Sequence, residues 1–118
     1  MEASHKESLH VGALEIRPDE FVAICDGRTL DLTARELALL TALARRSGRI
    51  VAREELYAAV WDRPYRPDDR SVDVYVRKLR AKLERAMPEC SFIHTHFGFG
   101  YRLAEEPSTG VNGRPRYA

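Results

Sequence analysis

The sequence predicts an α+β domain: an N-terminal four-stranded antiparallel sheet, three helices and a C-terminal β-hairpin. Three observations carry that reading. Residues 9–32 fall into short alternating or apolar runs separated by turn residues. Residues 33–86 hold three stretches whose apolar residues recur at helical spacing. Residues 92–103 return to alternation on both sides of Gly98-Phe99-Gly100. At 118 residues the chain is long enough for one domain with one modest core.

The strands are LHV (9–11), ALEIR (13–17), FVAIC (21–25) and TLDL (29–32). Gly12, Pro18-Asp19-Glu20 and Asp26-Gly27 divide them. The last pair is a strong hairpin signal, because a two-residue turn needs positive φ, which Asp and Gly tolerate. Ahead of the strands, residues 1–8 (MEASHKES) are polar, lack the apolar centre of a signal peptide and read as a flexible leader.

Thr33, with Glu36 three residues later, forms a capping box that starts the first helix. Leu37, Leu40 and Ala44 share one face, and Leu39 and Leu43 widen it until the helix must be buried on more than one side. Arg45 and Arg46 suit the negative end of the helix dipole, and Ser47-Gly48 ends the helix. Ile50-Val51 is a short extended link. A second helix runs from 53 to about 61 and presents Leu56, Val60 and Trp61, with Ala52 as a poor cap. Two prolines make residues 62–69 a loop.

The third helix, about 69–87, carries the most information. Val72, Val76, Leu79, Leu83 and Ala86 make one apolar stripe. A turn of about 100° per residue puts Arg70, Arg77, Lys78 and Arg85 on the opposite side. Val74 and Ala81 sit among those cations, and Arg80 and Lys82 flank the stripe. A helix anchored by one face and cationic on the other suits a polyanionic groove. There Val74 could meet a thymine methyl while the cations reach phosphates and guanine edges. The plainer alternative is a solvated amphipathic helix.

Charge distribution sharpens the choice. Residues 1–69 hold 10 Lys and Arg against 13 Asp and Glu, and residues 70–118 hold 9 against 5, so cationic character concentrates in the second half. No run approaches the roughly 20 apolar residues of a membrane span, so a cytoplasmic location and no membrane partner are expected. Cys25 and Cys90 form no motif and read as free thiols. No nucleophile–base arrangement or nucleotide motif is present, so neither an enzyme nor a cofactor is expected. His94 and His96 form an H-x-H on one strand face. A third ligand at metal-site spacing is missing, so a hairpin face with surface or DNA-facing histidines is preferred to a metal site. Facing DNA, their protonation would strengthen binding as pH falls.

Three helices, the third cationic, followed by a hairpin, is the order of a winged helix-turn-helix. The chain resembles the DNA-binding effector domain of the OmpR/PhoB family of response regulators over about residues 9–104. LTARELALL matches at the first helix, GRIVAREELYAAVW across the turn into the second, and RSVDVYVRKLRAKLE at the third. Thr95, Gly98, Gly100, Tyr101 and Arg102 match the family's T-x-x-G-x-G-Y-R wing. The resemblance implies a sequence-specific regulator of transcription, of two-component type, that binds double-stranded DNA. Its third helix would read the major groove, and its wing (about 92–103) would touch backbone or minor groove. Arg70, Tyr75, Arg77, Lys78 and Arg80 match DNA-contacting positions, and Thr95 a wing position near the backbone. With Val74, Lys82 and Phe97 they make up the expected DNA-binding set. The resemblance further implies contact with RNA polymerase through the 61–69 loop and tandem binding of two copies on direct repeats.

Two departures stand out. Phe97 occupies the position where the family usually carries a minor-groove Arg. The family's phosphoacceptor receiver domain has no counterpart in these 118 residues, which fits either a fragment or a stand-alone DNA-binding domain. Residues 105–118, rich in Pro, Gly, Ser and Thr without periodicity, are expected to be a disordered tail.

Overall fold

The computed structural model describes residues 7–108. Strands β1 (Leu9–Val11), β2 (Leu14–Arg17), β3 (Val22–Cys25) and β4 (Arg28–Thr29) form an antiparallel meander in that order. The register pairs Val11 with Leu14, Leu14 with Cys25, and Cys25 with Arg28. Alternation then turns Val11, Leu14, Ile16, Ala23 and Cys25 into the core. Asp26 and Gly27 sit at φ 53 and 79, the doubly positive turn that matches the twist of two paired strands.

The predicted strand ends shift for local reasons. Pro18–Glu20 form one turn of 3-10 helix, closed by Phe21 at φ 56, whose N–H bonds Pro18 O. The third strand therefore starts at Val22, one residue late. The fourth is not TLDL but Arg28–Thr29. Leu30 keeps one bond to β3, its N–H donating to the Ala23 carbonyl at 2.8 Å, and both Leu30 and Leu32 pack on the core from the loop that delivers Thr33 to its cap position.

Helix α1 spans Ala34–Arg45. The Glu36 N–H donates to Thr33 Oγ1 at 3.2 Å, and the Thr33 N–H donates to Glu36 Oε1 at 2.9 Å, closing the predicted capping box. All five predicted apolar residues of α1 are buried, because the helix packs against the first sheet and both other helices. Helix α2 (Arg53–Val60) lacks a side-chain cap, as Ala52 requires. Helix α3 spans Ser71–Ala86 and buries Val72, Val76, Leu79 and Leu83, each worth about 1.5–3 kcal/mol of burial. The Asp69 carboxylate accepts the Ser71 N–H at 2.8 Å, so one donor at the start of α3 is satisfied from the loop. Pro88 follows the last turn.

The hairpin is longer than its predicted span: β5 is Cys90–His96 and β6 is Gly100–Pro107. A register shift between Ser91 and Ile93 makes a bulge, which lets the neighbours Phe92 and Ile93 both be buried. Strand β6 runs into the segment expected to be a tail, and Ser108 is tied by its N–H to Glu89 O at 2.8 Å. The rest of that tail, 109–118, lies outside the described residues, as does the leader from 1 to 6. Glu7 and Ser8, also read as leader, bond Arg45 and Glu15. Among the described residues no helix is long and apolar enough to cross a membrane.

Candidate nucleic-acid interface

With its apolar stripe fixed on α1 and β5, helix α3 has one face left for solvent. Arg77, Lys78 and Arg85 lie exposed on it, and Val74 is half-buried among them. Arg77 and Arg85 have no ion-pair partner among the described residues. The Lys78 ammonium sits 5.0 Å over the Tyr75 ring. Tyr75 packs edge-on against Trp61 at 5.6 Å, so it is half core and half surface. The Arg70 side chain is 78% exposed and its ion pair is with Asp73, at 3.4 Å, an exposed contact of little strength.

Arg80 joins helix and wing. One terminal nitrogen of its guanidinium donates to Thr95 Oγ1 at 2.9 Å. Its Nε is buried with no partner among the described residues. This bond fixes β5 beside the cationic face, so α3 and the hairpin form one continuous surface.

Lys82 is a correction. Expected to face DNA, its ammonium instead donates to Glu36 Oε1 and to the Asp31 carbonyl, each at 2.7 Å. Glu36 is only 2% exposed. Burial alone would raise its carboxyl, but the bonds from Lys82 and Thr33 outweigh that and hold it below the usual carboxylate range. Lys82 was drawn inward because a buried carboxylate needs a counter-charge.

Asp73 was missed as a positioning residue. It accepts Arg53 Nε at 2.7 Å and the Tyr101 hydroxyl on the same oxygen, and Arg70 on the other. One carboxylate thereby ties α2, the start of α3 and strand β6 together. Partial burial pushes its carboxyl up, and the Tyr101 and Arg53 bonds bring it below the ordinary range. Burial and the Asp73 charge push the Tyr101 phenol up. The wing is held at the same place by backbone. Val51 and Tyr101 exchange both N–H···O bonds, at 2.7 and 3.0 Å. No local sequence signal showed this junction, since Arg53 and Tyr101 stand 20 and 28 residues from Asp73.

Both wing histidines make hydrogen bonds within the hairpin. The His94 Nε2–H donates to the Ala104 carbonyl at 2.9 Å, beside the bulge. His96 Nε2 accepts from Arg102 Nε at 3.1 Å, and Arg102 also pairs with Glu106. Both rings therefore serve the hairpin itself. Among the described residues no group of three or more ligand-type side chains could hold a metal.

The end of α2 is an aromatic cluster. Trp61 is buried and stacks on Tyr57 at 5.0 Å, and Tyr65 meets Tyr57 edge-on at 5.3 Å. Arg35 covers the Trp61 ring at 4.9 Å. Tyr57, absent from the expected α2 face, is the largest fully buried side chain. Its spacing of four from Trp61 was the available sign.

Comparison with known proteins agrees with this geometry. Residues 27–103 match the family described as "Transcriptional regulatory protein, C terminal". The alkaline phosphatase synthesis transcriptional regulatory protein PhoP of Bacillus subtilis is 40% identical over 97 residues, which are 82% of this chain and 40% of PhoP. The crystal structure of the DNA-binding domain of Escherichia coli CpxR superposes with a TM-score of 0.75 at 35% identity, covering 83% of this chain and 96% of that one. The Klebsiella pneumoniae RstA DNA-binding domain, solved in complex with the RstA box, gives 0.74 at 31% identity, covering 83% and 97%.

The chain belongs to the OmpR/PhoB family of winged-helix effector domains.

The chain spans less than half the length of the curated relatives it matches. Phe97, where the sequence departs from the OmpR/PhoB wing pattern, is 81% exposed at the tip of the hairpin.

Proposed function

We propose that this chain is the sequence-specific, double-stranded DNA-binding domain of a cytoplasmic transcription regulator. The observation that carries the proposal is a helix buried by one face whose other face leaves Arg77 and Lys78 exposed beside a latched wing. In this reading α3 enters the major groove. Arg77, Lys78 and Val74 meet base edges or phosphates, and Arg70 contacts backbone after exchanging its weak bond to Asp73 for a phosphate. Arg80 and Thr95 lie against the backbone from either side of the helix–wing junction, and Tyr75 offers its hydroxyl. Family membership supports two copies on direct-repeat half-sites. It also supports contact between RNA polymerase and the 61–69 loop, whose residues 62–64 and 66–68 are exposed.

The test is selection from a random double-stranded library with an Arg77→Ala, Lys78→Ala control. The proposal expects an enriched motif that the control loses. A base contact removed by either substitution should cost about 1–3 kcal/mol and change site preference. A phosphate contact should weaken all sequences alike and flatten the salt dependence. No enrichment, with no binding at low salt, would refute the proposal.

A further inference from the structure

The wing tip carries a feature that the cationic interface does not absorb. Phe97 and Phe99 are 81% and 72% exposed, on either side of Gly98 at φ 84. The turn is tight, since the Phe99 N–H bonds His96 O at 2.8 Å. Exposing two phenyl rings at one turn is unfavourable in water. Nothing in the fold requires it, because neither ring packs on the core. The strands beneath are rigidly placed: Thr95 is latched to Arg80, and Tyr101 is paired with Val51 and bonded to Asp73. Residues 90–104 contain no Asp or Glu, so a polyanion can approach the tip without repulsion from those residues. The tip is also continuous with the α3 face through the Arg80–Thr95 bond.

We propose that the wing reads the minor groove with an aromatic wedge, Phe97 supported by Phe99, in place of a cation. The inference rests on the DNA-binding reading above. A phenyl ring carries no charge to neutralise a phosphate. It gains by covering apolar sugar faces and by entering a partly unstacked base step, and such wedges kink the duplex. Pyrimidine–purine steps unstack most easily, so the wing half-site should prefer them at a position that no hydrogen bond reads. The wing therefore contributes affinity that depends on DNA deformability and little on salt.

The experiment uses the whole 118-residue chain and a duplex of about 30 bp carrying the motif enriched in the selection above, with a donor and an acceptor dye at its ends. Affinity is measured across a salt series and bending by energy transfer. Phe97→Ala with Phe99→Ala should lose about tenfold or more in affinity, keep the wild-type salt slope and abolish the bend. Phe97→Arg should restore affinity at low salt, steepen the slope by about one ion and leave the DNA straighter. Because both rings are exposed the variants should fold, and unchanged melting confirms it. Affinity within twofold of wild type, or an unchanged bend, in the double alanine variant would overturn the inference. So would loss of self-association with DNA binding intact, which would make the tip a protein contact. Arg77→Ala serves as the reference: if wild type binds no duplex, the DNA reading itself has failed, and if only the alanine wing variant behaves as wild type, the wedge alone has failed.

Discussion

Replacing Lys82 with methionine separates the two roles open to a cation on α3. If Lys82 contacts phosphate, Lys82→Met weakens DNA binding and reduces the salt slope by about one. If it neutralises Glu36, the variant loses stability and keeps its slope. The magnitude follows from the surroundings of Glu36. Breaking a buried ion pair costs about 3–5 kcal/mol. Here the loss is smaller, because Glu36 keeps the Thr33 N–H at 2.9 Å and stays in the first turn of α1. Lys82 is also 27% exposed, which lowers its own desolvation. About 2–3 kcal/mol remains, which for a domain of this size lowers Tm by roughly 10–20 °C. The pH dependence adds a sign. In the wild type the Glu36 carboxyl lies below its unfolded value, so its stabilisation is present above the unfolded value and lost as pH falls through the lower folded one. Without Lys82 two of the causes that lower the carboxyl are gone while burial still raises it, so the variant should lose less stability than the wild type on mild acidification. Thermal melts from neutral pH down to about 4 and a fluorescence titration across salt provide the assay. An unchanged Tm together with a shallower salt slope would refute the reasoning and return Lys82 to the DNA interface.

Three further outcomes follow from the wing junction and the thiols. A Cβ at Gly100 would lie 1.9 Å from Val51 O at φ 143, so Gly100→Ala should destabilise by about 2 kcal/mol or more in urea unfolding. Tyr101→Phe removes one bond to a shared carboxylate and should cost about 1–2 kcal/mol. In the same variant the wing amides should gain hydrogen exchange without any loss at α1. Cys25 is fully buried and its thiol is pushed up to about 11, by burial first and nearby carboxylates second. Burial and Glu105 push the Cys90 thiol up as well, so exposure decides: at pH 8 a disulfide reagent should label the half-buried Cys90 slowly in the native state and reach Cys25 only after unfolding.

Patterns confined to one element were legible in the sequence. The stripe on α3, the broad face of α1, the Thr33–Glu36 box and the Asp26-Gly27 turn each depend on residues a few positions apart, and each is present. Strand ends were less legible, because Leu30 and Leu32 have the composition of a strand but are used by the core from a loop. The tail boundary failed for a related reason. Residues 105–107 look polar and irregular, yet they extend the β6 ladder, in which Glu106 and Pro107 lie opposite Ser91 and Cys90.

The cations show where sequence reading of a site runs out. A helical wheel gives each charge a direction and says nothing of what waits there. Arg77 and Lys82 differ by five positions and look alike by composition, but only Lys82 points at a buried carboxylate 46 residues away. Arg80 lies between these extremes, half-buried and committed to Thr95 by one nitrogen. The basic character of α3 therefore divides into charges that build the domain and charges left for a partner. The division is set by Glu36, Asp73 and Thr95, which lie on three different elements. Desolvation enforces it, because a carboxylate as buried as Glu36 must capture its counter-ion from whichever helix passes, whatever that helix's outer face is for. A substitution series across α3 should accordingly split in two, with DNA affinity following the exposed cations and melting temperature following the captured one.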